Sequence, residues 1–494
     1  MAAHDELASP KELLKQLDAL IDAVREEAQT QRLAWPTLSE DFEPSALNLA
    51  AWLALRRRDL RPLQQSLMVL GLSSLGRLEG RTLEALLAVR ASLAAIAREP
   101  IGARPTTEAF FAGQERLRAR SERMFGTTNP TRPVAVMITC PSEAAEDPDF
   151  FPQLAQRGVQ AVRINCAHDD RNAWGQMIER ARAAGASNGR TMRIFMDLAG
   201  PKIRTGRVSG DADHRLQRGD QLAIAFAGSL KDAKSDFGQP VAECTLDAAV
   251  QAAEVGHRIF YDDGKLGLVV RRATQWGLIA EVETCPDKGV KVKTEKGLNF
   301  PDTDFDVDAL TPKDLEDLDF VAAHADAIEY SFVQSADDVL RLQQALARRR
   351  EDWRGLGLVL KIETARAVAH LPEILVQAAI AQPTAVMIAR GDLAVEIGFN
   401  RMAEMQEEML WLCEAAQVPA IWATQVLEHL ISDGTPLRGE MTDAAMAARA
   451  ECVMLNKGPY LREGVDALDT LLERMADHQH KKTPELRQLR SWAS

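Results

Sequence analysis

Ala385-Val-Met-Ile-Ala-Arg-Gly-Asp-Leu-Ala-Val-Glu396 is the stretch on which the reading of this chain turns. An apolar run climbs to Ala389, then Arg390, Gly391 and Asp392 arrive together, and apolar residues resume at once. A buried strand should end in a turn, and Gly-Asp is ordinary turn chemistry. An arginine and two acids around one glycine equally suit the rim of a phosphate and metal site. The neighbouring segments decide between the two.

Seven further runs share this texture: VAVMITC (134–140), AVRINC (161–166), RIFMDL (193–198), AIEYSFV (327–333), GLVLKIE (357–363), AIWAT (420–424) and CVMLNKG (452–458). Amphipathic helical segments such as DPDFFPQLAQRG, SADDVLRLQQALARRR and MAEMQEEMLWLCEAAQ lie between them. Short Val- and Ile-rich runs alternating with helices are the mark of a parallel sheet. Eight such units predict an α/β fold, a (β/α)8 TIM barrel, with polar residues at nearly every strand end. A doubly wound open sheet is the alternative.

One interval breaks the alternation. Between Arg204 and about Lys296 lie strand-like segments (DQLAIAFAG, HRIFYDD, KLGLVVRRA, GLIAEVET), which predict a small β domain inserted after strand 3. Before the barrel, SPKELLKQLDALIDAVREE has Ser9 as N-cap, Pro10 just inside, and Leu13, Leu14, Leu17, Leu20, Ile21 and Val24 on one face. Helical patterns recur near 44–58, 61–70, 80–98 and 107–122. The expected division is an α-helical accessory domain at 1–125 and a first barrel part at 131–205. An inserted β lid at 206–296, a second barrel part at 297–475 and a basic helical tail at 476–494 complete it.

Length and composition bound the function. A chain of 494 residues exceeds a single compact core. Its net charge of −13 argues against nucleic-acid and anionic-membrane partners, so an anionic substrate needs locally clustered cations or a metal. Six scattered cysteines without a CxxC pair fit reduced thiols. The N-terminus lacks a basic region followed by an apolar core, and no apolar run approaches the roughly 20 residues of a membrane span. A cytoplasmic protein is expected.

The strand ends are most informative as one set, because barrel active sites are built there. They contribute Arg163 and Asn165; Asp197, Lys202 and Arg204; Ser331 and Phe332; Lys361 and Glu363; Arg390 and Asp392; Thr424 and Gln425. So many charges on one rim are costly to desolvate without a ligand and a metal. Glu363 and Asp392 are hard oxygen ligands of the type Mg²⁺ prefers. Arg163 and Arg204 offer donor forks that match phosphate oxygens. Lys361, two residues before Glu363 on a strand, faces the same way and suits a developing oxyanion or a transferring phosphoryl group.

In this order, KIETARAVAHLPEIL (361–375), MIARGDLAVEI (387–397) and WATQVLEHLI (422–431) resemble the pyruvate kinase family. RINCAH (163–168), MDLAGPKIRTG (196–206), FYDDGKLGL (260–268), KGLNFPDTDFDVDALTPKDLEDL (296–318) and PLRGEMTDAA (436–445) do so as well. The resemblance runs from about residue 131 to 475. It implies a barrel with a β domain closing over the nucleotide, and glycolytic phosphoryl transfer from phosphoenolpyruvate to ADP with Mg²⁺, or Mn²⁺ in its place. Glu363 and Asp392 then hold the metal, and Lys361 serves the enolate oxygen and the transferring group. The backbone of Ala389, Arg390 and Gly391, with Ser331 and Phe332, corresponds to the substrate site, and Thr424 to enolate proton transfer. Arg163 and Arg204 correspond to phosphate-binding arginines, His168 to the adenine pocket and Asp263 to a lid residue facing the nucleotide.

Departures from the family pattern matter as much. A serine ligand for potassium is Ala167 here, and Asp197-Leu198 stands where the family has Asp-Thr, which leaves Asn165 and Asp197 as a degenerate monovalent-cation site. Lys202 occupies the position of a glutamate in potassium-dependent members, and its ammonium supplies the same single positive charge. Independence from K⁺ is the expectation. After the eighth strand, Asn456-Lys-Gly-Pro-Tyr460 replaces the family's Ser-Gly-Glu-Thr-Ala, and no counterpart of its C-terminal regulatory domain is expected. Homo-oligomerisation is left open. Two further classes stand beside the kinase: a Mg²⁺-dependent lyase or aldolase acting on pyruvate enolate, and a catalytically weak regulatory paralogue that binds metabolites.

Overall fold

A computed structural model describes residues 8–210, 214–238 and 240–485. The chain opens with five helices, α1 (Pro10–Ala34), α2 (Glu43–Arg56), α3 (Arg61–Val69), α4 (Thr82–Ala97) and α5 (Thr107–Phe125). Helix α1 starts where the sequence says it should. The Ser9 hydroxyl accepts the Glu12 N–H while the Glu12 carboxylate accepts the Ser9 N–H at 2.9 Å, a reciprocal pair that satisfies two otherwise orphaned donors. Leu13, Leu14, Leu17, Ile21 and Val24 are buried, and the helix packs on α2 and α4. Each fully buried aliphatic side chain there is worth about 1.5–3 kcal/mol. Leu17→Ala, at a site with no exposure, should cost about 2–5 kcal/mol.

Eight parallel strands then close into a barrel. In chain order the first three are β1 (Ala135–Thr139), β2 (Ala161–Asn165) and β3 (Arg193–Asp197). The chain next leaves for a second sheet built from β4 (Thr205–Ser209), β5 (Gln221–Ala225), β6 (Val241–Cys244), β7 (Arg258–Tyr261), β8 (Leu266–Thr274), β9 (Gly277–Thr284) and β10 (Leu298–Asn299). It returns for β11 (Ala327–Tyr330), β12 (Gly357–Ile362), β13 (Thr384–Ala389), β14 (Ala420–Ala423) and β15 (Cys452–Leu455). The barrel closes in the order β1-β15-β14-β13-β12-β11-β3-β2. The eight-unit barrel is therefore the architecture, and the open sheet is excluded.

Period-two alternation fills the barrel. Ala135, Met137, Phe195, Val359, Ala385, Met387, Ile421 and Met454 form one interior cluster, alternating small and large. The end of α5 joins it from below: Phe125 stacks on Phe195 with ring centroids 5.8 Å apart. The N-terminal helices therefore plug the underside of the barrel as well as covering its flank.

The inserted sheet runs β10-β7-β8-β9-β5-β6-β4 and carries apolar clusters on both faces. It starts one residue before the expected 206–296 span and takes in Leu298–Asn299 beyond it, because β10 pairs antiparallel with β7. The tail departs further from expectation. After the helix Leu461–Ala476 the chain forms a hairpin, β16 (Gln479–His480) with β17 (Thr483–Pro484), and not a continued basic helix. Lys481 turns at positive φ to pair with Glu451, and Lys482 pairs with Glu79, so tertiary ion pairs override local helix preference. Residues 486–494 lie outside the described residues.

Candidate active site

Strand order places the ends of β2, β3, β11, β12, β13 and β14 side by side on one arc of the barrel's C-terminal face. At its centre is the Lys361 ammonium. It donates to Asp197 at 3.0 and 3.3 Å and to Ser331 Oγ at 2.6 Å, and lies 3.2 Å from Glu363 Oε1. Lys361, Glu363, Asp197 and Ser331 are all buried, so the surface salt bridge that Lys361 and Glu363 alone would suggest is not what forms. Burial by itself would strip the lysine of its proton. Asp197 and then Glu363 reverse this and raise its pKa above the ordinary lysine value. Asp197 stays ionised well into acid, because Lys361 and Arg163 outweigh the burial that opposes its charge.

Glu363 is fixed from the other side by the Phe332 N–H, which donates to Oε2 at 2.6 Å. Phe332 has φ +55°, left-handed geometry that aims this N–H at the carboxylate. Gly200 has a reason to be glycine: at φ +66°, a Cβ there would sit 2.9 Å from the Ser331 side chain. Its absence lets the Gly200–Lys202 loop lie on the end of β11.

One strand on, Arg390–Ile397 forms a helix directly from the end of β13, so Arg-Gly-Asp is a first helical turn where a turn was expected. The carboxylate of Asp392 accepts from Lys202 Nζ at 2.8 Å. Its charge also raises the proton affinity of Glu363, already pushed up by burial, which shows the two acids to be electrostatic neighbours. Among the described residues no three metal-ligand side chains cluster, so no closed protein cage exists. Two hard oxygens without a third fit an ion that takes its other ligands from substrate and water.

Thr424 is held against its preference. It has φ +63°, with Gln425 at +54° and Leu427 at +50°, strain of about 1–3 kcal/mol for a β-branched residue in that region. The Gly391 N–H donates to Thr424 Oγ1 at 2.8 Å. Arg390 secures the strained turn: Nε donates to the Ala423 carbonyl at 3.0 Å, Nη2 to the Thr424 carbonyl at 2.6 Å, and Nη1 binds Asp443. The Arg390 side chain is therefore a buried clamp, and only its backbone faces the rim. A Cβ on Gly391 would meet Thr424 at 3.5 Å, an ordinary contact, so the protein itself does not require glycine there.

The structure does not bring every expected residue into this knot. Arg163 lies within it, but its fork is taken: Nε donates to Glu329 at 3.0 Å, Nη1 to Thr139 at 3.1 Å, and Nη2 binds Asp197. Asn165 sits beside Asp197 in register and accepts from the Ala167 N–H. Arg204 is half-buried at the root of the second sheet, on the Glu295 carbonyl at 3.0 Å. His168 and Asp263 are exposed, and it is Asp262, ion-paired with Lys265 and Lys296, that is fixed. The 456–460 loop packs on the helix Glu428–Asp433, where Tyr460 N–H donates to the Ile431 carbonyl.

Two residues escaped the sequence reading. Glu329 is wholly buried inside the barrel, its carboxyl pushed up to about 7 by burial against the pull of Arg163, and its Oε1 has no partner. Glu396 lines a cleft of about 490 Å³ between the barrel and the second sheet, together with Lys202, Asn299, Phe332 and Asp392. Its carboxyl accepts from Asn299 Nδ2 at 3.1 Å, and burial raises it to about 7. Period two would have aligned Glu329 with Ser331, and helical spacing would have stacked Glu396 on Asp392, had the segment been read as a helix.

Comparison with known proteins adds an independent line. The family model described as "Pyruvate kinase, barrel domain" matches residues 131–464. The rat protein named "Pyruvate kinase PKLR" is 30% identical over 357 residues, covering 68% of this chain and 59% of that protein. A pyruvate kinase of Agrobacterium vitis is 30% identical over 345 residues, covering 68% and 67%. One of Geobacillus stearothermophilus is 32% identical over 306 residues, 62% of this chain and 49% of that one. The chain thus spans between about half and two thirds of these relatives. Eight barrel strands, a sheet inserted after the third and a family match across both barrel parts agree: the chain belongs to the pyruvate kinase family.

Proposed function

We propose that this protein transfers the phosphoryl group of phosphoenolpyruvate to ADP, giving pyruvate and ATP in the cytoplasm as a step of glycolysis. The observation that carries this reading is the buried Lys361 ammonium shared among Asp197, Ser331 and Glu363, one strand from the Lys202–Asp392 pair. Lys361 is held charged before substrate arrives, so it meets a developing enolate oxygen without reorganisation. Glu363 and Asp392 would hold Mg²⁺, or Mn²⁺, which supplies charge neutralisation on phosphoryl and enolate oxygens. The backbone of Ala389, Arg390 and Gly391 lies where β13 passes into the helix Arg390–Ile397, whose positive end suits the substrate carboxylate, with the Gly391 N–H held by Thr424 Oγ1 until substrate arrives. Thr424 would deliver the proton to the enolate carbon, with Ser331 and Phe332 framing the substrate.

Lys202 supplies a fixed positive charge beside Asp392, and the site formed by Asn165 and Asp197 then has no need of K⁺. Arg163, Arg204, His168 and Asp263 serve phosphate and nucleotide. We take 1–125 as a helical accessory domain, 131–205 with 297–475 as the barrel, 206–296 as a nucleotide lid and 476–494 as a tail. The sheet above the cleft favours this over a lyase, which needs no nucleotide cover. Among the described residues no helix is long and apolar enough to cross a membrane. A catalytically weak metabolite-binding paralogue is the second reading, favoured by the full commitment of Arg163 to Asp197 and Glu329.

The test is to incubate purified protein with phosphoenolpyruvate, ADP and Mg²⁺, with and without K⁺, and follow pyruvate. Turnover in both conditions is expected. No pyruvate in either would overturn the kinase reading, and turnover only with K⁺ would overturn the role of Lys202.

A further inference from the structure

We propose that the seam between the N-terminal helices and the underside of the barrel binds a small polyanion, such as a phosphate monoester or a polycarboxylate. A cavity of about 380 Å³ opens there, lined by Ser39, Arg120, Arg123, Arg354, Gln382 and Thr384 among others. That is the size class of small-molecule sites. It is separate from the cleft described above. Its floor is the 379–384 segment that feeds β13, and the run of that strand from Thr384 to Ala389, about 17 Å, separates it from Ala389 and Asp392.

The charge at this seam is unusual for a chain of net charge −13. Arg116, Arg120 and Arg123 lie on one face of α5, four and then three residues apart. Arg354 reaches in from the barrel side, its guanidinium 4.4 Å from the centroid of Trp353. Arg120 is held by the Ser45 hydroxyl at 2.8 Å and by the backbone carbonyls of Gln417 and Asp41 at 3.1 and 2.9 Å. Its nearest carboxylate, Asp41, stands 3.7 Å away and is 82% exposed. Burial lowers the Arg120 pKa, Asp41 opposes that only in part, and Arg116 and Arg123 reinforce it. Arg123 and Arg354 make no hydrogen bond or ion pair among the described residues. Three arginines facing one cavity, Arg120, Arg123 and Arg354, with the exposed Asp41 as the one acid among its lining residues, are stabilised by an arriving anion, and guanidinium forks match phosphate and carboxylate oxygens.

Gln382 braces the floor: it is buried and donates its amide to the carbonyls of Trp353 and Leu356, at 3.4 and 3.0 Å. Guanidinium forks without carboxylate partners select an oxyanion ligand. This inference does not rest on the proposed catalytic activity.

The test titrates the full-length protein calorimetrically with glycerol 3-phosphate and, separately, with citrate. The proteins compared are wild type, the double variant Arg123→Ser/Arg354→Ser and the control Arg462→Ser. All three altered arginines are exposed, and far-UV circular dichroism confirms the fold. Saturable binding is expected in wild type and control. It should weaken about tenfold or more in the double variant, the scale of one charge-assisted contact. The difference between wild type and double variant removes any contribution from the barrel top. Tighter binding of glycerol 3-phosphate or of citrate assigns the site to phosphate monoesters or to polycarboxylates. Absence of saturable binding by both probes, or equal binding in the double variant, overturns the proposal.

Discussion

Glu414→Gln should flatten the pH dependence of stability. Glu414 lies on the helix Phe399–Ala416, where the single 3-10 turn Glu79–Arg81 and the C-terminal hairpin meet the barrel, and its carboxylate makes no hydrogen bond or ion pair among the described residues. Lys481 and Lys482 face it favourably, Glu79 and Glu451 unfavourably, and Arg81 is close by. Burial dominates and lifts its pKa from an ordinary 4.5 to about 7. Between those values the native state holds the proton more tightly than the unfolded chain, so stability falls as pH rises from 4.5 to 7 and is level above. At about 1.4 kcal/mol per pKa unit the ceiling is about 3 kcal/mol, and residual solvent contact reduces this to about 2 kcal/mol. Glutamine keeps the shape without the titration. Urea denaturation at several pH values should therefore show the variant gaining about 2 kcal/mol on wild type between pH 4.5 and 8. A difference between the two proteins that stays constant with pH would refute the reasoning.

Three further outcomes follow from the barrel top. Lys202→Met removes the cation on Asp392, so activity without K⁺ should fall and K⁺ should partly restore it; indifference to K⁺ would show that Lys202 has no such role. Asp392→Asn should weaken Mn²⁺ binding, read by electron paramagnetic resonance, at least about a hundredfold, since even an outer-sphere partner is worth 10- to 100-fold. Glu329→Gln keeps an acceptor for Arg163 Nε, so stability should change by less than about 1.5 kcal/mol, while releasing the arginine's charge should lower KM for phosphoenolpyruvate. An unchanged KM would exclude Arg163 from phosphate binding.

The barrel was legible because its strands are short apolar runs separated by amphipathic helical segments, and all eight formed where the sequence placed them. Lys361 and Glu363 were legible through their two-residue spacing. What was hidden arises from neighbours distant in sequence. Nothing local shows that Arg163 will be claimed by Glu329, 166 residues on, or that Thr424 will be forced to positive φ and clamped by Arg390. The segment after Ala389 misled for a local reason: Gly-Asp suits a turn, yet the chain runs straight into the helix Arg390–Ile397, with Arg390 tied to the carbonyls of Ala423 and Thr424. The tail misled for a tertiary one, through the pairing of Lys481 and Lys482 with Glu451 and Glu79.

Phosphorus NMR of the complete reaction tests the central claim most directly. With phosphoenolpyruvate, ADP and Mg²⁺, wild type should convert the phosphoenolpyruvate signal into the γ-phosphate of ATP, with one pyruvate formed for each ATP. Lys361→Met should slow this by several powers of ten while remaining folded, because the ammonium acts on charge that develops in the transition state. Pyruvate without ATP, inorganic phosphate in place of ATP, or a Lys361→Met variant as fast as wild type would contradict the account.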